Sequence, residues 1–182
     1  MASIVVVFHS GYGHTTKQAE AVAAGAQADL IAIDANGDIA EADWAKLDAA
    51  KAIIMGSPTY MGSVSWQFKK FADASSKKWF TQEWKNKIFA GFTNSATMNG
   101  DKFSTIQYFI TLSMQHSGIW VGTGLMPANT KAAKHGDINF VGGFSGALMT
   151  SPSDSSAEEV NKGDLETARL LGVRVAEFAN KL

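Results

Sequence analysis

Ser10-Gly11-Tyr12-Gly13-His14-Thr15 is the stretch of this 182-residue chain whose residue types and spacing best suit chemistry. An apolar run, Val5–Phe8, stops in small and hydroxylated residues, and an alanine-rich helical stretch follows at once. The first amides of a helix have no intrahelical partner, and the helix dipole adds partial positive charge, so this order of residues makes an anion trap. Gly11 and Gly13 let the backbone curl around a phosphate, Ser10 and Thr15 add hydroxyls, and Lys17 is the nearby cation. The spacing is not that of a P-loop, since G-x-x-x-x-G-K-[ST] is absent. Nor is it a dinucleotide fingerprint, since Thr16 stands where G-x-G-x-x-G needs a glycine. Taken alone, the stretch is equally well a tight strand-to-helix turn.

Two further segments weigh against the bland reading. Gly56-Ser57-Pro58-Thr59-Tyr60-Met61-Gly62 follows an apolar strand at Lys51–Met55, and Thr93–Asp101 follows another at Lys87–Phe92. With Ser3–Phe8, Asp29–Ile33 and Ile119–Val121, the spacing gives five strands. Helical periodicity marks His14–Ala26, closed near Gly25, then Ser65–Ala74, Phe103–His116 and Glu158–Leu182, with a turn or two at Glu41–Leu47. Strands alternating with helices imply right-handed crossovers and a parallel sheet covered on both faces. The expectation is an α/β, flavodoxin-like three-layer sandwich. Its five-stranded parallel sheet has the order 2-1-3-4-5, in one domain spanning 1–182. The loops after strands one, three and four then converge at the carboxyl edge, where such sheets bind ligands. The stretch 122–154 fits no clean period; Phe144–Met149 reads as a continuation of the last strand after an excursion.

Composition narrows the function. A net charge of −1 lacks the basic surface that nucleic-acid binding needs. The absence of cysteine excludes disulfides, thiol catalysis and thiolate metal sites. The four histidines have no zinc spacing, so no metal is expected, and G-x-S-x-G is missing. No apolar run reaches membrane-spanning length. A cytoplasmic location is expected.

Together, S-G-Y-G-H-T at 10–15, G-S-P-T-Y-M-G at 56–62, T-N-S-A-T-M-N-G at 93–100 and E-x-A-R-x-x-G at 166–172 resemble the flavodoxin-like FMN enzymes. The likeness is strongest to NAD(P)H:quinone oxidoreductases of the tryptophan-repressor-binding-protein type. The resemblance implies FMN held by Ser10, Gly11, Tyr12, Gly13, His14 and Thr15 at its phosphate. Pro58, Thr59, Tyr60, Met61 and Gly62 would run along the ring, with Thr93, Asn94, Ser95, Thr97 and Gly100 on the other side. It also implies hydride passing from NAD(P)H to a quinone by a ping-pong mechanism, in a homodimer or homotetramer. His116 and Trp79 match family positions near the flavin, the Trp reaching it from a neighbouring subunit, and are the candidate catalytic residues. The other reading of each is structural: a dipole-favoured histidine at a helix end, and a packing tryptophan. Ala96, Met98 and Asn99 depart from the glycine-rich third loop of the family. A one-electron carrier docking on redox proteins is the alternative, although carriers of that kind are commonly strongly acidic around the flavin.

Overall fold

A computed structural model describes residues 2–181. In chain order the elements are β1 (Ile4–Phe8), α1 (His14–Ala26), β2 (Asp29–Ala32), α2 (Glu41–Ala49), β3 (Ala52–Tyr60), β4 (Ser63–Val64) and α3 (Trp66–Ala74). Then come α4 (Ser76–Phe80), β5 (Ile88–Ser95), α5 (Lys102–Gln115), β6 (Ile119–Trp120), β7 (Ala147–Thr150), a 3-10 turn at Ala157–Glu159 and α6 (Lys162–Lys181). The last residue of the expected C-terminal helix, Leu182, lies outside the described residues.

The sheet runs β2-β1-β3-β5-β6, with β7 also paired to β5. Its main strands are parallel and follow the expected order once two details are allowed for. A short antiparallel strand, β4, hangs from the end of β3. The fifth strand is split, β6 pairing with the start of β5 and β7 with its end. The excursion expected between Val121 and the last strand segment is thus present, and the chain returns to the same edge.

Val5, Val6 and Val7 are fully buried because the sheet is covered on both sides. Ile4, Val6, Phe8 and Ile54 face α1 and α6. Val5, Val7, Ile53 and Met55 face a layer built on Leu47, Phe68, Phe71, Trp84 and Phe109. Burying side chains of this size stabilises the fold by about 1.5–3 kcal/mol each.

Register carries the consequence for function. Phe8 pairs with Gly56, Gly56 with Phe92, and Phe92 with Ala147. The chain therefore leaves β1, β3, β5 and β7 at the same carboxyl edge. The opposite edge holds the strand starts, where Ala52, Ile88 and Ile119 align. Among the described residues, no helix is long and apolar enough to cross a membrane.

Candidate functional site

Four loops at the carboxyl edge enclose a cleft of about 560 Å³. The first is the turn into α1. Gly13 takes a φ of 91°, which turns the chain into the helix. The hydroxyl oxygen of Ser10 accepts from the amides of Gly13 (3.1 Å) and Thr16 (3.3 Å), leaving its O–H free to donate into the cleft. The other first-turn amides have no helical acceptor. Ser10, Gly11, Tyr12, His14 and the buried Thr15 all line the cleft.

The second segment is more ordered than a loop. β3 continues through Tyr60, and Met61 and Gly62, at φ of 48° and 78°, form the tip of a hairpin with β4. Pro58, Thr59 and Tyr60 line the cleft, whereas Met61 stands fully exposed at the tip. Tyr60 reaches across to the first loop. A Cβ on Gly11 would come to 2.5 Å from its hydroxyl, so a larger residue there would displace the tyrosine ring. Burial pushes the Tyr60 phenol pKa up, with Tyr12 adding to the shift.

Asn94 and Ser95 line the third side. Thr93 lies behind them, fully buried. Its hydroxyl donates to the Ser57 carbonyl (2.6 Å) and sits 2.9 Å from the Thr59 hydroxyl, so it braces the second segment. Thr97 and Gly100 lie in the turn beneath the lining. Sequence reasoning missed the fourth side, 151–157, from which Ser151, Pro152, Ser153, Ser155, Ser156 and Ala157 face the cleft. The signal was the serine-rich stretch just after an apolar Ala147–Thr150 run, where β7 pairs with β5 in the register Ser95 to Thr150. Asn94 Nδ2 donates to Ser151 Oγ (2.8 Å), which ties the third side to the fourth. His14 Nε2 lies 3.0 Å from the Ser155 carbonyl and ties the first to the fourth.

The two candidate catalytic residues do not join this assembly within one chain. His116 follows α5 and sits beside the strand starts, where the Ser117 carbonyl accepts from the Asn86 amide (3.0 Å). It is buried against Trp84 (ring centroids 4.6 Å), with Nε2 2.9 Å from Ser75 Oγ. Ser75 gives its own proton to the Ala72 carbonyl (2.7 Å), so the histidine donates through Nε2, while its buried Nδ1 has no hydrogen-bond partner among the described residues. Burial lowers its pKa to about 4. Trp79 lies close by on α4, half exposed. Both residues line the same hollow with Phe80 and Gln115, at the opposite edge from the cleft. The reason is length. α5 has 14 residues, about 21 Å, and runs antiparallel to the strands, so its last turn lies a full sheet-width from its first.

The cleft fits a phosphorylated planar cofactor. Its lining holds no Asp or Glu, and hydroxyls and free amides crowd the closed end by α1. Neutral donors of this kind suit a phosphate dianion. Pro58 to Tyr60 offer an extended strand and an aromatic ring at the other end. A family model described as NADPH-dependent FMN reductase matches residues 26–132. The chain belongs to that family. Among its relatives is Flavodoxin FldP of Pseudomonas aeruginosa, 55% identical over 182 residues, covering 100% of this chain and 99% of the relative. An NAD(P)H dehydrogenase (quinone) of Gluconacetobacter diazotrophicus is 33% identical over 201 residues, covering 100% of this chain and 99% of the relative. The solved structure of a flavodoxin, WrbA-like protein from Agrobacterium tumefaciens superposes with a TM-score of 0.84. It is 51% identical and covers 100% of this chain and 99% of that one. This member of the FMN reductase family is therefore a flavoprotein of the flavodoxin and WrbA type, with FMN as its cofactor.

Proposed function

We propose that the protein is a two-electron reductase, passing hydride from NAD(P)H to quinones or similar small acceptors in two half-reactions. The observation that carries this reading is the cleft itself, hydroxyl-lined, free of carboxylates, and edged by the exposed Tyr12, Met61 and half-exposed Tyr60. Such a mouth suits flat, weakly charged molecules that stack; the exposed acids nearby, Asp154, Glu158 and Glu159, stand off the lining, with Glu158 paired to Lys17 and Glu159 to Ser156. In this reading Ser10, Thr15 and the turn at 11–14 hold the FMN phosphate. The strand Pro58–Tyr60 and the Asn94–Ser95 pair grip the ring, and Ser151–Ala157 closes the outer side. Held there, FMN would supply the hydride-transfer chemistry between nicotinamide and acceptor. The chain's task is orientation and exclusion of water: Tyr60 and Met61 position each flat substrate in turn against the open face.

The carrier reading is favoured by one observation, the 55% identity to a relative named flavodoxin. One experiment separates the two. Under anaerobic conditions, NADH and then NADPH are added to the FMN-loaded protein, followed by benzoquinone. The reductase reading expects fast bleaching of the flavin band by one nucleotide and recovery on adding quinone. No bleaching by either nucleotide, with stepwise one-electron reduction by dithionite, would establish the carrier. A homodimer or homotetramer belongs to this proposal too. Trp79, half exposed at the far edge of its own chain, could reach a flavin only in another copy, whereas His116 is buried there.

A further inference from the structure

One buried ionisable side chain lies just behind the cleft and does not line it. Lys102, the first residue of α5, is 1% exposed. Its Nζ donates to the carbonyls of Thr97 (2.6 Å) and Met98 (3.0 Å). Those carbonyls belong to the turn between Ser95 and α5, whose first residues, Ser95 and Ala96, line the cleft. The other internal ties of the turn are slight: Ser95 Oγ to the Thr97 carbonyl (3.1 Å) and the Lys102 amide to the Asn99 carbonyl (3.1 Å). We propose that Lys102 is a positioning residue for the cofactor, its ammonium fixing the 96–100 turn so that this wall of the cleft has its flavin-holding shape before FMN arrives. The inference rests on the reading of Asn94–Gly100 as one side of the flavin site.

The energetics separate this role from a structural one. Burial lowers the Lys102 pKa to about 8, opposed only in part by the charge of Asp164 on α6. Asp164 is itself engaged, its Oδ2 accepting from the Thr150 amide (2.9 Å) and from His135 Nε2 (2.9 Å) in the 121–146 excursion. Asp101, exposed at the start of α5, is the remaining acid beside it in the chain. A depressed lysine pKa means that the folded state binds this proton less tightly than the unfolded state does. Stability is therefore lower at neutral pH than above the shifted pKa, and an apolar side chain of equal length would serve the fold as well or better. What the ammonium adds is two charge-assisted bonds to a cofactor-side turn, stronger than those of a neutral amine.

The test uses the full-length chain, wild type and Lys102→Met, with amide exchange of residues 96–100 followed before and after loading with FMN. FMN affinity is measured from pH 7 to pH 9 by quenching of flavin fluorescence. The expected result for the variant is faster exchange at 96–100, FMN affinity weaker by about tenfold, and a thermal midpoint unchanged or raised. Wild-type affinity falls as pH rises through the shifted pKa of Lys102, while the variant's profile is flat. Unchanged exchange and unchanged affinity would overturn the proposal. Faster exchange with unchanged affinity would overturn instead the placing of this turn in the flavin site. Should the variant fail to fold, the wild-type profile decides, because a flat one from pH 7 to pH 9 contradicts an ammonium that holds the turn.

Discussion

The two edges of the sheet are built from opposite materials. At the carboxyl edge, serines, threonines and free amides crowd around a cleft, and the chain leaves four strands in register to form it. At the amino edge, aromatic rings pack around a neutral histidine: Trp84 against His116 at 4.6 Å, and Trp44 against Phe71 at 5.3 Å. At the first, the Ser10 O–H and the first-turn amides are left for a ligand. At the second, Trp84 Nε1 donates to Asp48 (2.8 Å) and Lys87 Nζ to the Asp48 and Ala50 carbonyls, and the buried polar atom without a hydrogen-bond partner among the described residues is His116 Nδ1, enclosed by rings. The difference teaches that a histidine's chemistry follows from which edge its helix delivers it to, and not from its presence near a loop in the sequence.

The sharpest way to break the comparison is to put charge into the first edge. Thr15→Glu places a carboxylate beside the proposed phosphate site. At an effective dielectric near 20 the repulsion is about 2–4 kcal/mol, so FMN affinity should fall by roughly 30- to 1000-fold, measured by flavin fluorescence. Trp79→Ala, at the other edge, should leave FMN affinity of the isolated chain within about twofold, since it touches nothing in the cleft. A large loss there would mean that a second copy brings Trp79 onto the flavin.

The next effect belongs to the amino edge. The His116 pKa is lowered to about 4 in the folded state, so between that value and the ordinary imidazole range the unfolded chain holds a proton that the folded chain does not. Stability should therefore fall as pH drops from 7 to 5, by up to about 3 kcal/mol once pH reaches the lower value. Urea unfolding at several pH values would measure it, and His116→Gln should flatten that part of the slope. A slope of equal size in His116→Gln would assign the acid sensitivity to other groups.

Smaller effects return to the cleft. Asn94→Ala removes the tie to Ser151 and should weaken FMN binding by about 1 kcal/mol, or roughly fivefold, and lower the unfolding free energy by about 1–3 kcal/mol, because buried Ser151 loses its partner. Glu158→Gln releases Lys17, which it meets at 2.9 Å. Because Glu158 is largely exposed, the change in FMN affinity should stay under about threefold.

Much of this was legible in the residues, for identifiable reasons. Runs such as Val5–Val7 and Ile53–Met55 are apolar on both faces, as strands of a doubly covered parallel sheet are, and strand order followed from their rhythm with the helices. Ten of the sixteen residues expected to hold FMN line the cleft. Gly13, Met61, Gly62, Thr93, Thr97 and Gly100 instead shape or brace it. Three features escaped. The hairpin at Tyr60–Ser63 looked like loop because its turn residues, Met61 and Gly62, carry the same signal as any turn. The packing role of Gly25 escaped too, although α1 ends at Ala26 as expected and is capped at Gln27. Gly25 and Gly172 are small because α1 and α6 nearly touch: a Cβ on Gly25 would meet the Arg169 carbonyl at 1.9 Å, and one on Gly172 the Val22 carbonyl at 2.1 Å. The fourth loop escaped because its strand, β7, is separated from β6 by a long excursion, and only the register with β5 shows where its end lies.

The most direct test of the account is amide hydrogen exchange of the full-length protein with and without FMN. New protection is predicted at residues 10–16, 57–60, 94–100 and 151–157, and none at 114–118. Protection centred on the amino edge, with residues 10–16 unchanged, would contradict it.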